Sequence, residues 1–291
     1  MLKIHDVEYT AEAELSAHTS IKIGGVAGLI ILPDTVDKMV FAIDCLLDEG
    51  YTFKVVGRMT NILPPDGRVD IPLITTRRLL GFSLSEEGIV TATSGEVIMR
   101  ILRYSAERNF GGCEMLSGIP GTIGGLVAMN AGAFGAEISD FFTGALVYDI
   151  KARQFARLSR EDMCFAYRSS VLRGSPLVLL SVDLALRRKP VEAIVSNIEK
   201  YKKIRLDTQP TEPSLGSVFM RGDGVIPARL IDSLGLRGYR IGGAVVSEKH
   251  AGFIINRGGA TADDVRTLVD YVKREVYLKF GIVIREEVEY L

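Results

Sequence analysis

The sequence predicts a protein of mixed helix and strand, laid out in three parts. Three observations predict it. Apolar residues recur at helical spacing in several stretches, and shorter apolar or alternating runs lie between those stretches. Glycine supplies 30 of the 291 residues and gathers in two clusters, Gly118, Gly121, Gly124, Gly125, Gly132 and Gly135, then Gly235, Gly238, Gly242 and Gly243. The length itself corresponds to about two domains.

The first part reads strand, helix, strand. Residues 29–32 form a short apolar run that Pro33 ends, and Thr35 can cap a helix. Val36, Met39, Val40, Ile43, Leu46 and Leu47 then recur at helical spacing, with Gly50 at the stop position. Residues 53–56 resume as a buried strand, giving a βαβ-like unit whose exit loop is Gly57-Arg58-Met59-Thr60-Asn61, followed by Pro64-Pro65-Asp66-Gly67.

The middle part begins near residue 81. Residues 88–93 have strand character, and Val97, Ile98, Ile101, Leu102 and Tyr104 predict a helix ending near Phe110 and Gly111. The first glycine cluster follows, then strands near 145–150 and 177–185. The last part opens on Pro190 as a helix N1 residue, with Val191, Ile194, Val195, Ile198 and Tyr201 as the apolar stripe. Residues 207–213 form a polar link. A final helix carries Val265, Leu268, Val269, Val272, Val276 and Phe280 on one face, with Thr261 and Asp264 as a capping box and Gly281 as its stop. Residues 282–290 then alternate as a strand, with Ile282, Ile284 and Val288 on one face and Arg285, Glu287 and Glu289 on the other.

Composition excludes several classes. With 35 Lys+Arg against 36 Asp+Glu, nucleic-acid binding by bulk charge is not expected. Hydrophobic residues at 47% and charged residues at 24% suit a chain that buries a core rather than a disordered one. No run approaches the ~20 apolar residues of a membrane helix. The first residues lack the apolar core of a secretory signal. Cys45, Cys113 and Cys164 are scattered and odd in number, which fits a reducing cytoplasm and three small buried side chains. His5, His18 and His250 do not make a metal site.

Close-spaced glycines let backbone amides converge on phosphate, and two such loops suit a diphosphate. They serve tight turns and close helix packing equally well. The chain has no GxxxxGK[ST] and no GxGxxG after a strand, so neither a P-loop nor a Rossmann dinucleotide site is expected.

Longer motifs narrow the choice. Ser117-Gly118-Ile119-Pro120-Gly121-Thr122-Ile123-Gly124-Gly125 continues to Met129-Asn130-Ala131-Gly132-Ala133-Phe134-Gly135-Ala136-Glu137. Before it come His18-Thr19-Ser20, Ile23-Gly24-Gly25 and Thr60-Asn61. After it come Phe165-Ala166-Tyr167-Arg168-Ser169-Ser170, Gly216-Ser217-Val218-Phe219, Val246-Ser247-Glu248-Lys249-His250-Ala251-Gly252-Phe253 and Glu287-Val288. In order and spacing, over nearly the whole chain, this resembles the UDP-N-acetylmuramate dehydrogenases, also called UDP-N-acetylenolpyruvoylglucosamine reductases.

The resemblance implies an α+β FAD-binding fold of the vanillyl-alcohol-oxidase kind, with two FAD-binding subdomains and an α/β substrate domain. It places the first subdomain at residues 1–80, with 283–291 returning to it, the second at 81–189 and the substrate domain at 190–282. It implies FAD as cofactor, held by Gly57, Thr60, Asn61, Ser117, Gly118, Ile119, Pro120, Gly121, Thr122, Gly124, Gly125, Asn130 and Ala133. NADPH is the implied co-substrate, and a UDP-sugar enolpyruvate is reduced during peptidoglycan precursor synthesis. A cytoplasmic monomer without metal, nucleic-acid or membrane partner is expected. About 50 residues separate Arg168 from Ser217, which resembles the class lacking an extra substrate-covering loop.

Reducing a carbon–carbon double bond conjugated to a carboxylate builds negative charge beside that carboxylate, and a proton must then arrive. Arg168 matches the family's cation, permanently charged and able to grip a carboxylate bidentately. Glu287 matches the second stabilising residue, neutral or hydrogen-bonded, with Glu286 as its competing neighbour. Ser217 matches the proton donor, useful only against a strongly basic carbon. Tyr167, Arg205 and Arg221 are the expected substrate contacts, while Lys249 and His250 are read as structural. Without a dinucleotide fingerprint, NADPH and the UDP-sugar are expected to take turns in one cleft, with ping-pong kinetics.

Several positions depart from the family pattern, among them Thr208, two residues before Pro210, where a cation is usual and Arg205 is the remaining candidate nearby. Met59 stands where a second glycine is usual, at a cost of order 1 kcal/mol if positive φ is required. Met220 and Gly222 flank Arg221 where a lysine and a proline are usual. These departures keep open a non-catalytic relative that binds nucleotide-sugar or a protein partner. An FAD oxidase of the same fold with another substrate is the second alternative.

Overall fold

The computed structural model describes residues 6–222 and 224–291. His5 and the N-terminal residues 1–5 lie outside the described residues. The chain gathers into two compact units. One takes the described residues up to Ala11, with Leu29–Arg58 and Ile71–Arg205; the other takes Glu12–Gly28, Met59–Asp70 and Leu206–Leu291.

Strand Val26–Ile31, whose residues from Leu29 onward belong to the first unit, leads into helix α1 (Val36–Asp48). Thr35 caps it as expected, its hydroxyl oxygen accepting from Lys38 N at 3.2 Å. Met39, Ala42, Ile43 and Leu46 are its buried stripe. Strand Lys54–Val56 follows, but it does not lie beside Val26–Ile31. Leu73–Thr75 sits between and parallel to both, with Ile30 opposite Leu73 and Val55 opposite Ile74. That three-residue strand is too short to show a period in sequence.

A second, antiparallel sheet has the order Gln154–Leu158, Phe142–Asp149, Leu177–Ala185, Ile89–Thr93, Phe82–Leu84. Helices α2 (Ile98–Ala106) and α3 (Ile123–Ala128) supply Ile98, Ile101, Leu102, Ile123 and Val127 to the same core as Val90, Val147 and Val182. α2 ends earlier than its apolar spacing predicts. Asn109 turns left-handed at φ +60°, and Phe110–Gly111 instead pairs as a strand with Arg187–Arg188. Tyr104 is not core; it stands outward, edge-on to Phe82 at 5.1 Å.

Helix α4 (Val191–Thr208) begins one residue later and ends later than expected. Pro190 precedes it, its carbonyl accepting from Ile194 N at 3.2 Å, and Asp207 and Thr208 are helical rather than linker. Of the predicted stripe only Ile194 is fully buried.

The second unit has the antiparallel sheet Ser214–Ser217, Phe253–Asn256, Ala244–Val246, Arg240–Ile241, packed with helices α5 (Pro227–Ser233) and α6 (Ala262–Phe280). The capping box on α6 is present in both directions, Asp264 N to the Thr261 hydroxyl at 3.0 Å and Thr261 N to the Asp264 carboxylate at 3.0 Å. Asp66 adds a cap from far away, accepting from Ala262 N at 2.7 Å and Asp263 N at 3.1 Å. Gly281 ends the helix at φ +67°, and Phe280 has drifted off the buried stripe to 36% exposure.

Residues 282–290 are not one regular strand. Only Glu289–Tyr290 pairs as a strand, parallel to Ile62–Leu63, with an isolated bridge between Glu286 and Phe219. Ile284 and Val288 are nevertheless buried, as the alternation predicts. Cys113 is buried and Cys45 partly so, but Cys164 is exposed because it sits in a turn at φ +46°. No helix among the described residues is long and apolar enough to cross a membrane, and none of their His, Cys, Asp or Glu side chains cluster as a metal site.

Candidate active site

In the first unit the glycine-rich segment ends at the start of α3. The first amides there are already committed: Ile123 N to Glu96 O at 2.7 Å, Gly124 N to Ser94 O at 2.8 Å, and Gly125 N to the Thr122 hydroxyl at 3.3 Å. Here glycine serves close packing rather than an open amide nest. Gly57 approaches the same cap. A β-carbon on it would lie 2.5 Å from the Thr122 hydroxyl oxygen, so a side chain there would force that hydroxyl to move. The Thr75 hydroxyl holds the Gly57 carbonyl at 3.2 Å.

Upstream, Arg205 donates from Nε to Ser117 O at 3.0 Å and lies 5.2 Å from the Phe134 ring centroid. Phe134 in turn stacks on Tyr201 at 4.8 Å. Burial pushes the Arg205 pKa down from the usual arginine value.

Arg168 stands on a tight turn. Ala166 and Ser169 exchange backbone bonds at 3.1 and 3.0 Å, leaving Tyr167 and Arg168 at the tip. Arg168 takes a left-handed φ of +54°. Its guanidinium donates to Asn130 O at 3.5 Å and Gly132 O at 3.3 Å, and sits 4.9 Å from the Tyr167 ring centroid. Ala133 lies in the short hairpin that follows, paired with Ala136.

In the second unit, Ser217 closes a strand whose register breaks between Ser214 and Ser217. Gly216 makes that bulge at φ +79°, a conformation costly to other residues, and a bulge re-aims the side chain after it. The Ser217 hydroxyl reaches Phe219 O only at 3.4 Å, so it is loosely held.

The next residue ties this strand to the C-terminal segment: Glu287 N donates to Val218 O at 2.8 Å. Asn61 then clamps the same segment. Its side-chain amide donates to Glu287 O at 2.8 Å, and its own carbonyl accepts from Glu289 N at 2.9 Å. Asn61, Glu287 and the Ser217 strand therefore form one hydrogen-bonded set. Thr60 adds its carbonyl, 3.4 Å from the Ser20 hydroxyl.

Residues 209–291 match the UDP-N-acetylenolpyruvoylglucosamine reductase C-terminal domain, and residues 27–153 match an FAD binding domain. The UDP-N-acetylenolpyruvoylglucosamine reductase of Caldicellulosiruptor saccharolyticus is 37% identical, over 98% of this chain and 93% of its own. The chain belongs to the UDP-N-acetylenolpyruvoylglucosamine reductase family. The reductase of the same name from Thermotoga maritima is 40% identical, over 95% of this chain and 96% of its own. The crystal structure of the Thermus caldophilus UDP-N-acetylenolpyruvylglucosamine reductase superposes with a TM-score of 0.80 at 28% identity, covering 98% of each chain. The fold is thus the α+β FAD-binding fold of this reductase family.

The residues present suit an FAD. Among the described residues, the hydroxyls of Ser94 and Ser117 are buried without a hydrogen-bond partner, beside the segment where Gly57 packs on Thr122. Buried hydroxyls of this kind call for an acceptor or donor brought by a ligand. Gly118, Ile119, Pro120 and Gly121 form the turn between Ser117 and Thr122.

The other reductase-family positions fall out as follows. Glu286 is committed elsewhere: Lys273 Nζ donates to it at 2.6 Å and the Tyr290 hydroxyl donates to its other oxygen, which leaves Glu287 as the candidate carboxyl. Arg221 is exposed, next to a turn closed by Gly222 and Val225. His250 accepts from Gly252 N at 3.1 Å and lies edge-on to Phe253 at 4.9 Å. Burial and the nearby Arg221 charge hold its pKa below the usual histidine value. Lys249 donates to Leu206 O. Met59 does adopt positive φ, +46°, and is only 3% exposed. The sequence alone assigns no role to Asp66, whose partners Ala262 and Asp263 are 196 and 197 residues away, nor to Lys273, Tyr290 and Glu137.

Proposed function

We propose that this chain is the FAD-dependent reductase that converts UDP-N-acetylglucosamine enolpyruvate to UDP-N-acetylmuramate in peptidoglycan precursor synthesis, with NADPH as reductant. Family membership makes it an oxidoreductase. The observation that carries the reading is the bonded set of Asn61, Glu287 and the Ser217 strand, built from three remote stretches within one unit.

Gly57, Thr60, Asn61, the segment from Ser117 to Thr122, Gly124, Gly125, Asn130 and Ala133 would hold the FAD. When bound, FAD supplies the hydride that the terminal carbon of the enolpyruvyl group receives. Arg168 grips the substrate carboxylate and meets the negative charge that develops beside it. Glu287, protonated or donating through a hydrogen bond, stabilises the same charge. Ser217 gives its hydroxyl proton to the carbon that bears the carboxylate, completing a saturated ether. Tyr167, Arg205 and Arg221 bind the rest of the substrate. NADPH and the UDP-sugar alternate in one cleft, the enzyme being a cytoplasmic monomer of the class without the extra covering loop.

Ser217→Ala tests this reading by stopped-flow absorbance of the flavin. Reduction by NADPH should be unchanged, while reoxidation by the enolpyruvyl substrate slows by roughly 10²–10⁴-fold. Equal slowing of both half-reactions defeats the assignment.

A further inference from the structure

We propose that Asn130 and Glu137 are positioning residues for Arg168, which they serve by fixing the two carbonyls that hold its guanidinium. The inference rests on the reading of Arg168 as the residue that meets the substrate carboxylate.

The guanidinium bonds to Asn130 O and Gly132 O measure 3.5 and 3.3 Å, too long to impose a geometry unless the carbonyls themselves are immobile. The Asn130 side chain, bonded to Glu137, anchors the segment that carries both carbonyls. Asn130 is 1% exposed, and its amide makes three bonds. Its Nδ2 donates to the Glu137 carboxylate at 2.8 Å and to Ala166 O at 3.0 Å, while its Oδ1 accepts from Ser139 N at 3.2 Å. An amide NH₂ has two hydrogens, and both are committed to protein acceptors.

These bonds close a ring. The Asn130 side chain holds Ala166, two residues before Arg168, and the Arg168 side chain returns to the Asn130 main chain. Glu137 completes the frame from the other side. It lies opposite Gly132 in the hairpin, its own N donates to the Asp140 carboxylate at 2.9 Å, and its carboxylate accepts from Asn130 Nδ2. Asn130 and Arg168 both take left-handed φ, +40° and +54°, conformations that persist only where surroundings over-determine them. A fully satisfied buried polar group specifies one arrangement, whereas an apolar filler of the same size would leave the turn free to shift.

The test uses flavin-loaded enzyme, reduced chemically with dithionite and then mixed with the enolpyruvyl UDP-sugar. Glu137→Ala and Asn130→Ala are each made in the native and in the Arg168→Ala background. Glu137 lines an open cavity of about 390 Å³, so water can replace its carboxylate and this variant is expected to fold even where Asn130→Ala does not. In the native background each change should slow flavin reoxidation by about 10–100-fold, the scale of a displaced catalytic group. In the Arg168→Ala background neither should slow it further. Glu137→Gln keeps an acceptor oxygen and should restore most of the rate.

Equal slowing in both backgrounds, or none in the native one, overturns the positioning role while leaving the function of Arg168 standing. An Arg168→Ala enzyme that reoxidises at the native rate removes that function, and this inference with it.

Discussion

Met59 offers the sharpest test of how this chain departs from its family. The residue combines a left-handed φ of +46° with 3% exposure, so strain and burial act on it in opposite senses. Truncation to alanine removes a buried thioether side chain, at about 2–5 kcal/mol, and keeps the strained backbone. Truncation to glycine removes the same side chain but also relieves about 1–2 kcal/mol of left-handed strain. Against that relief stands about 0.5–1 kcal/mol for the greater freedom of glycine in the unfolded chain.

Met59→Gly should therefore be more stable than Met59→Ala by about 0.5–1 kcal/mol, the reverse of their order at an ordinary φ. Both should be less stable than the native chain, because the burial lost exceeds the strain relieved. The family's glycine is thus not a repair here: Met59 has been drawn into the interior. Urea midpoints of the flavin-free proteins, compared at constant slope, measure the three stabilities. An alanine variant that outlasts the glycine variant refutes the strained conformation, and a glycine variant that outlasts the native chain refutes the balance.

Other predictions address the site. Glu287→Gln should slow reoxidation of the flavin by substrate, whereas Glu286→Gln should leave that step alone and cost only about 0–1 kcal/mol of stability through its Lys273 pair; transient kinetics that rank them the other way reverse the assignment. Gly57→Ala sets a methyl group 2.5 Å from the Thr122 hydroxyl oxygen, which must swing away and leave Gly125 N uncapped. Flavin content per purified protein should fall, with about 1 kcal/mol of stability lost through the cap; full flavin content would remove Gly57 from the cofactor site. His250 is held below its ordinary value of 6.5 by burial and by the Arg221 and Arg237 charges. The unfolded chain then binds more protons than the folded one in the window beneath that value, so stability declines as pH falls through it. His250→Asn keeps an acceptor for Gly252 N and should flatten that decline; an unchanged slope would place the cause elsewhere.

What the sequence shows of the fold depends on how local the cause is. The start of α1 at Thr35 and the box of Thr261 and Asp264 are legible because a cap involves residues three apart. The strand Leu73–Thr75 is not, since its place between two other strands follows from pairing of Leu73 with Lys54 on one side and with the more distant Ile30 on the other. α2 shows the opposite error. Apolar spacing continues past Ala106, but Asn109 turns left-handed, and the residues beyond it pair with Arg187–Arg188 instead. Residues 282–290 alternate like a strand because Ile284 and Val288 must be buried. Alternation prescribes burial rather than ladder pairing, and these residues are held mainly by isolated bonds such as Met220 N to Arg285 O at 2.9 Å.

The site divides along the same line. Motif order singles out Ser217, Arg168 and Glu287, and alternation already favours Glu287 over Glu286. Periodicity places Glu286 with Ile284 and Val288, and the reason it is no free acid is the pair of donors from Lys273 and Tyr290. Asn61 shows the limit more clearly. Its motif points to the cofactor, yet its side-chain amide donates to the backbone of Glu287, 226 residues away. A residue shared between the cofactor loop and the segment bearing the acid links the two: a change in how the loop sits displaces Glu287 through the 2.8 Å bond to its carbonyl and the 2.9 Å bond from Glu289 N. Asn61→Ala should then impair reoxidation by substrate even when FAD is supplied to saturation. Recovery of the native rate on adding FAD would confine Asn61 to holding the cofactor and remove its side chain from the positioning of Glu287.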